Sequence, residues 1–173
     1  MKKDIDVAII MGSDSDLPIM KDAAKFLGDM KISYEITVLS VHRCPNEAFE
    51  YANELKERNV KVIIAGAGGA AHLPGIFAAI VPVPVIGVPI HSKTLNGIDS
   101  LYSIVQMPSG IPVATVAING AKNAAILASS MLGIGNEELK NKLVNYKASM
   151  KNTVLEKNTK LQKIGYEEYL KQM

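Results

Sequence analysis

Short apolar runs alternate with segments of helical periodicity along most of this 173-residue chain. Residues 7–11 form the first run, an unbroken apolar stretch typical of a strand buried on both faces of a parallel sheet. Residues 17–30 then place apolar side chains at helical spacing. The same order recurs four more times, with strands predicted at residues 34–39, 60–65, 83–88 and 112–118 and helices at 45–55, 73–80, 101–106 and 122–132. This order predicts an α/β fold with a five-stranded parallel sheet.

We expect the sheet to take the flavodoxin-like form, a three-layer αβα sandwich with right-handed crossovers. In doubly wound sheets, ligands bind beyond the carboxyl ends of the strands. That rule selects the loops at residues 12–16, 40–45, 66–74, 89–97 and 119–121 as the places to look for chemistry. Within the second helix, Phe49, Ala52 and Leu55 are predicted to form the buried face.

Composition narrows the classes of function. Lysine and arginine number 19 against 17 aspartate and glutamate, a balance that does not predict a nucleic-acid partner. A single cysteine, Cys44, excludes an internal disulfide and cysteine-rich zinc sites. The three histidines stand on separate loops without metal-site spacing, so we expect no metal. Prolines interrupt the longest apolar stretch, residues 76–90, and no export signal is evident, which predicts a cytoplasmic protein with no membrane segment.

The end of the chain has a different pattern. Leu139, Leu143, Tyr146, Met150 and Val154 recur at helical spacing among polar residues, which predicts an amphipathic helix with an apolar seam. We therefore divide the chain into a catalytic domain, residues 1–135, and a helical extension, residues 136–173. A five-stranded core offers no obvious face for this seam, so we expect it to pack on another subunit. Packing back on its own domain is the alternative.

The first loop, residues 12–16, follows a strand and opens a helix. Free backbone N–H groups at such a place favour a phosphate, and the hydroxyls of Ser13 and Ser15 add donors. Asp14 and Asp16 would repel a phosphate and are better suited to accept hydrogen bonds from sugar hydroxyls. Plain helix capping by the same residues is the competing interpretation. The loop lacks the spacing of a dinucleotide site and the lysine of a P-loop.

The second loop places an imidazole beside a guanidinium. His42 can give or take a proton near neutral pH, and Arg43 suits bidentate phosphate binding. The local string alone equally allows an exposed histidine beside a solvated arginine. Cys44 is followed directly by Pro45, and we interpret it as a small packing residue rather than a nucleophile.

The third loop, residues 66–75, is rich in glycine and alanine. This much glycine after a buried strand lets backbone approach a ligand or adopt positive φ. Its small side chains leave space rather than supply reactivity, and His72 could bind a ligand or cap the next helix. The fourth loop, residues 91–99, is polar and could form a lid or a subunit contact; we expect His91 to be structural or exposed.

Taken together, the chain resembles the 5-(carboxyamino)imidazole ribonucleotide mutases of bacterial purine synthesis. Four segments carry the resemblance: GSDSD at residues 12–16, SVHRCP at 40–45, GAGGAAHLPG at 66–75 and DSLYSIVQMP at 99–108. The resemblance implies the flavodoxin-like fold and a homo-octamer with active sites at subunit junctions. It also implies an isomerase that needs no cofactor and takes a small ribonucleotide as substrate.

The resemblance further implies roles for individual residues. His42 would be the general acid and base that moves a carboxylate from the exocyclic nitrogen to C4 of an imidazole, through trapped CO2. Ser13, Ser15 and Arg43 would hold the phosphate, and Asp16 the ribose. The full set of expected substrate-binding residues is Ser13, Asp14, Ser15, Asp16, Ser40, Arg43, Gly68, Gly69, Ala70, Ala71, His72 and Leu73. Among them, residues 68–72 would enclose the CO2.

Two other functions remain open at this point. One is a related carboxylase that adds free CO2 to the unsubstituted aminoimidazole ribonucleotide. The other is a non-enzymatic module that binds a nucleotide or a flavin and leaves His42 idle.

Overall fold

The computed structural model describes residues 4–173 and contains a five-stranded parallel sheet. The strands are β1 (Val7–Met11), β2 (Tyr34–Val38), β3 (Val62–Gly68), β4 (Val85–Ile90) and β5 (Ala114–Thr115), in the spatial order β2-β1-β3-β4-β5. This is the flavodoxin-like strand order, with the reversal of direction at β1 and β3. The predicted fold class is confirmed.

Helices connect the strands and cover both faces of the sheet. They are α1 (Leu17–Asp29), α2 (Pro45–Glu57), α3 (Leu73–Ile80), α4 (Ile98–Val105) and α5 (Ala121–Leu132), followed by α6 (Glu137–Lys171). Short 3₁₀ turns precede α1 and α6, at Asp14–Asp16 and Gly133–Gly135. Prolines stand in the first turns of α1, α2 and α3, where a missing N–H costs nothing.

The central strands are buried on both faces. Ala8 and Ile10 of β1 cluster with Ile63 of β3, Phe77 of α3 and Ile104 of α4. The alternate side chains, such as those of Ile9 and Ile64, are fully buried as well. They point to the other face, where α1 and α5 pack together. Burial on both faces explains why the strands appear in the sequence as unbroken apolar runs.

Some element boundaries differ from the prediction, and the glycines explain the largest difference. β3 continues through Gly68, although the strand was predicted to end at residue 65. Gly66 pairs with Val88, and a Cβ on it would meet the Sδ atom of Met20 at 2.5 Å. Glycine at this position therefore makes room for the helix above the sheet rather than ending the strand.

Two further predictions fail locally. β5 pairs over Ala114–Thr115 only, instead of residues 112–118, and Pro112 contributes no N–H to a ladder. On α2, Phe49 is 51% exposed, while Ala48, Ala52 and Leu55 form the buried face. Ala48 belongs to the buried core cluster, so the aromatic ring at the next position points outward.

The chain divides into two compact units, one ending at Leu132 and one covering Gly133–Met173. In the second unit, the Asn136 side chain accepts a hydrogen bond from the backbone N–H of Leu139 at 3.0 Å and so caps α6. The helix is interrupted at Gly165, where φ is 76°, and the Lys160 ammonium lies 5.7 Å from the centre of the Tyr169 ring. Apolar side chains at Val144, Met150 and Val154 remain exposed.

No helix within residues 4–173 is long and apolar enough to cross a membrane.

Candidate active site

A cavity of about 370 Å³ opens at the carboxyl ends of β1, β2, β3 and β4. It lies beside the point where the strand order reverses, as expected for a doubly wound sheet. The following predicted site residues line it: Ser13, Ser15, Asp16, Ser40, His42, Arg43, Gly68, Gly69, Ala70 and Leu73. Asp14, Ala71 and His72 lie outside this lining.

The first loop forms a tight hydroxyl-rich turn. The Ser13 hydroxyl oxygen accepts hydrogen bonds from the Ser15 N–H at 3.3 Å and from the Ser15 hydroxyl at 2.9 Å. The Ser15 hydroxyl also lies 3.3 Å from a carboxylate oxygen of Asp16. Ser13 thus caps the 3₁₀ turn, as the helix-capping interpretation requires, and both serines face the cavity as well.

Asp16 is buried at 7% exposure on the cavity wall, whereas Asp14 is exposed. Burial raises the pKa of the Asp16 carboxyl, and the Asp14 carboxylate adds to the rise. Hydrogen bonds from Ser15 and Ser13 act in the opposite direction without cancelling it. A partly desolvated carboxylate of this kind gains when a ligand supplies hydroxyl donors.

Arg43 ties the second loop to the first. Its Nη2 donates to the carbonyl oxygen of Gly12 at 3.3 Å, and its Nε donates to the Ser40 hydroxyl at 3.4 Å. These contacts use two of the five donors of a guanidinium. The cation is thereby held beside the serine turn, so that both can face one anionic group.

His42 and His72 form a pair across the second and third loops. Nε2 of His42 lies 2.9 Å from Nδ1 of His72, and the rings meet edge to face at 77°. One nitrogen must donate and the other accept, so this contact holds a single proton. The tautomer of His72 therefore sets whether His42 carries a proton on Nε2. His42 lines the cavity, whereas His72 lies outside the lining and contacts the His42 ring.

The third loop presents backbone to the cavity. Gly69 has a φ of +65°, which a side chain would strain, and its carbonyl oxygen accepts the Ala71 N–H at 2.8 Å. Ala71 is only 1% exposed and packs in the core. Gly68, Gly69 and Ala70 therefore form the wall, with Leu73 at its end.

Six further lining residues lie in the loops selected from the sequence but were not named individually as substrate-binding residues: Gly12, Val41, Ala67, Ile90, His91 and Ser92. Ile90 ends β4 and is 7% exposed; the rule that sites gather at strand ends selected its segment, but an apolar side chain there gave no sign of lining the cavity. Ser92 donates to Asp99 at 2.6 Å and accepts N–H groups of Leu95 and Gly97, which folds residues 92–97 on themselves. The hydrogen bond from Ser92 lowers the pKa of Asp99. Nothing in the sequence reveals that arrangement.

Two other side chains near the cavity have structural surroundings. The Cys44 thiol is half-buried and donates to the Ser40 carbonyl oxygen at 3.0 Å. Asn119 accepts the His91 N–H at 2.9 Å, and so holds the start of the fourth loop. Among residues 4–173, no group of three or more His, Cys, Asp or Glu side chains is arranged to hold a metal ion.

Comparison with known proteins finds relatives over almost the whole chain. The family model described as AIR carboxylase matches residues 6–153. N5-carboxyaminoimidazole ribonucleotide mutase from Thermotoga maritima is 63% identical over 166 residues, which is 96% of this chain and 97% of the relative. Phosphoribosylaminoimidazole carboxylase from Candida glabrata is 56% identical over 164 residues, 95% of this chain but 29% of that protein.

A solved structure supports the same grouping. The crystal structure of Treponema denticola PurE superposes with a TM-score of 0.83 at 30% sequence identity. The superposition covers 90% of this chain and 97% of that one.

The burial of Asp16 predicts a pH-dependent stability difference. The pKa of Asp16 is higher in the folded than in the unfolded chain, so ionisation of this carboxyl lowers the free energy of unfolding. At low pH, where Asp16 is protonated in both the folded and the unfolded chain, this loss is absent. Asp16→Asn should therefore gain in free energy of unfolding relative to wild type as pH rises from ~4 to neutrality. Urea denaturation at several pH values measures it.

Asp14→Asn is the matched control, since that side chain lies in the same turn but is exposed. Its stability difference from wild type should change much less over the same pH range. A difference for Asp16→Asn that stays constant, or that shrinks as pH rises, contradicts the placement of the carboxyl.

Proposed function

Because the chain belongs to the AIR carboxylase family, we propose that it is an N5-carboxyaminoimidazole ribonucleotide mutase. This enzyme moves a carboxylate from the exocyclic nitrogen of a ribonucleotide to C4 of its imidazole ring. The observation that carries the proposal is one cavity lined by His42, by Arg43 with the serine turn, and by the glycine wall. The match to full-length mutases at 61–63% identity supports it.

The polar side of the cavity suits the nucleotide. Ser13, Ser15 and Arg43 would bind the phosphate, since two hydroxyls and a guanidinium meet there. Asp16 would accept the ribose hydroxyls, which fits a buried carboxylate beside that anion site. Ser40 lines the same side. Asp14 is exposed and outside the lining, so we assign it no direct contact.

The apolar side of the cavity suits CO2. Val41, Ala67, Leu73 and Ile90 line it, and each is at most 9% exposed. Together with the backbone of residues 68–70, they would surround a small, uncharged molecule with few water partners. Holding CO2 beside the ring makes its recapture effectively intramolecular, which avoids the entropy cost of a second encounter.

His42 would serve twice in one turnover. As the imidazolium, it gives its proton to the exocyclic nitrogen while the N–C bond to the carboxylate breaks and CO2 departs. C4 of the aminoimidazole then attacks CO2, and the neutral His42 removes the proton from C4. The carboxylate has moved, the histidine is protonated again, and no other reactant is consumed.

His72 would control this exchange rather than carry it out. Its Nδ1 is 2.9 Å from Nε2 of His42, so an acceptor at His72 favours a proton on Nε2, and a donor favours its absence. We therefore propose that His72 sets the protonation of Nε2 of His42 and does not itself exchange a proton with the substrate.

A carboxylase that uses free CO2 is the second candidate, favoured by the 56% identity to the Candida glabrata protein. Two assays of the purified protein, both without ATP, distinguish the two functions. The mutase converts N5-carboxyaminoimidazole ribonucleotide at the same rate with and without added bicarbonate. The carboxylase instead needs bicarbonate and turns over the unsubstituted aminoimidazole ribonucleotide. Absence of turnover in both assays contradicts either enzyme, and tightly held flavin would favour a binding module.

Substitutions should separate chemistry from binding. His42→Asn should lower kcat by about 10²–10⁴-fold while nucleotide binding is largely kept, because a proton-transfer group is lost. Arg43→Ala should mainly raise KM, since a phosphate partner is lost. Steady-state kinetics and nucleotide titration measure both.

Lys25→Ala removes an exposed cation from α1 and is the control for Arg43. It should behave as wild type. If His42→Asn keeps most of the wild-type kcat, His42 is not the general acid and base. If Arg43→Ala has an unchanged KM, Arg43 does not bind the phosphate.

Assembly is part of the proposal. We propose a homo-oligomer, an octamer as the resemblance implies, in which residues 136–173 form an extension that packs on other copies. The exposed apolar side chains of α6 support this, because Val144, Met150 and Val154 would be covered in such a contact. The cytoplasmic location and the absence of a nucleic-acid partner stay predictions.

Val154→Asp should therefore produce a smaller species in sedimentation velocity. Val154 is 64% exposed, so the change disturbs little within one chain but would place a charge in an apolar contact. Asn158→Asp, at an exposed polar position one turn further along α6, should sediment as wild type. Identical sedimentation of Val154→Asp and wild type contradicts the role of this helix in assembly.

A further inference from the structure

Ser100 is a buried polar residue with no place in the function so far. It lies in the first turn of α4 and is 0% exposed. Its hydroxyl donates to the carbonyl oxygen of Ile90 at 2.7 Å and accepts the N–H of Gly69 at 2.9 Å. The side chain therefore connects the last residue of β4 to the glycine wall, although it does not line the cavity itself.

Ser103 reaches the same peptide from the next turn of α4. Its hydroxyl donates to the Asp99 carbonyl oxygen at 2.7 Å and lies 3.3 Å from the Gly69 carbonyl oxygen. Gly69 is thus contacted at both its N–H and its C=O by α4. A glycine at positive φ has the most backbone freedom of any residue, so these contacts decide where its peptide lies.

We infer that Ser100 is a positioning residue that fixes the Gly69 peptide and, with it, the backbone wall of residues 68–70. The inference rests on the proposed function, in which this wall encloses CO2. Ile90 strengthens the point, because the residue whose carbonyl anchors Ser100 also lines the cavity. One hydroxyl thereby ties together two neighbouring parts of the cavity wall, the end of β4 and the peptide that follows the end of β3.

Removal of the hydroxyl has a specific chemical consequence. Ser100→Ala leaves the Gly69 N–H without its acceptor, and the wall becomes free to move. CO2 released from the carbamate can then escape before C4 attacks it. The ribonucleotide then keeps both the proton that His42 gave to its nitrogen and the proton on C4. The products are aminoimidazole ribonucleotide and CO2, and His42 regains its proton from water.

The experiment measures this loss in the full-length protein. Ser100→Ala should lower the mutase rate by about 10- to 100-fold, in the range expected for a misplaced reaction site. It should also release a larger share of the substrate as aminoimidazole ribonucleotide. With a carbon-13 carboxylate in unlabelled bicarbonate, its product should retain less label than the wild-type product.

Ser129→Ala is the matched control. Ser129 is also a serine at 0% exposure on a helix, but its hydroxyl donates to Ala125 within α5 at 2.7 Å. Its product ratio and label retention should equal those of wild type. A Ser100→Ala enzyme with wild-type product ratio and label retention overturns the inference, as does an equal loss of label in both variants.

Hydrogen exchange provides a readout that does not depend on activity. In Ser100→Ala, a peptide covering residues 66–72 should exchange faster at the Gly69 amide, with no such change in Ser129→Ala. If the wild type lacks mutase activity, the proposed function fails, and this exchange still decides whether Ser100 holds Gly69. Should Ser100→Ala fail to fold, Ser100→Cys replaces it, since a thiol is a weaker acceptor for the Gly69 N–H. Unchanged exchange at the Gly69 amide overturns the inference.

Discussion

The position of β1 between β2 and β3 is the constraint on which the site depends. Parallel strands carry their carboxyl ends to one edge of the sheet, so the loops after these three strands must meet there. The serine turn follows β1, the His42–Arg43 loop follows β2, and the glycine wall completes β3. No single loop contains a usable site, because each supplies one kind of group: hydroxyl donors, a titrating ring with a cation, or open backbone.

The cavity combines two environments that are difficult to place together. A phosphate needs cations and donors, whereas CO2 is retained best where water has few partners. Arg43 bonded to Gly12 marks the first environment, and buried Val41, Leu73 and Ile90 mark the second. His42, the proposed proton donor, lines the same cavity and is hydrogen-bonded to His72. This division matches the two needs of the proposed carboxylate transfer, which are to hold a nucleotide and to retain CO2.

The fold class and most of the polar residues that line the cavity could be predicted from the sequence, because buried strands and the loops at their ends leave strong patterns. The prediction failed at residues whose role depends on contacts with residues distant in the sequence. Gly66 suggested a loop, yet it lies in β3, where the missing side chain makes room for Met20. Ile90 belongs to an apolar run like any other, and only its position at the end of β4 makes it part of the cavity. Ser100 lies in a segment that carries the family resemblance, but its role is not visible there, because its hydroxyl bonds to Gly69, 31 residues earlier in the chain.

A crystal structure with the product ribonucleotide bound tests the central claim most directly. The account predicts that the phosphate contacts the Arg43 guanidinium and the Ser13 hydroxyl, while the carboxylated edge of the imidazole faces His42 and the backbone of Gly68 and Gly69. A nucleotide bound in the opposite orientation, or bound away from this cavity, would contradict the account.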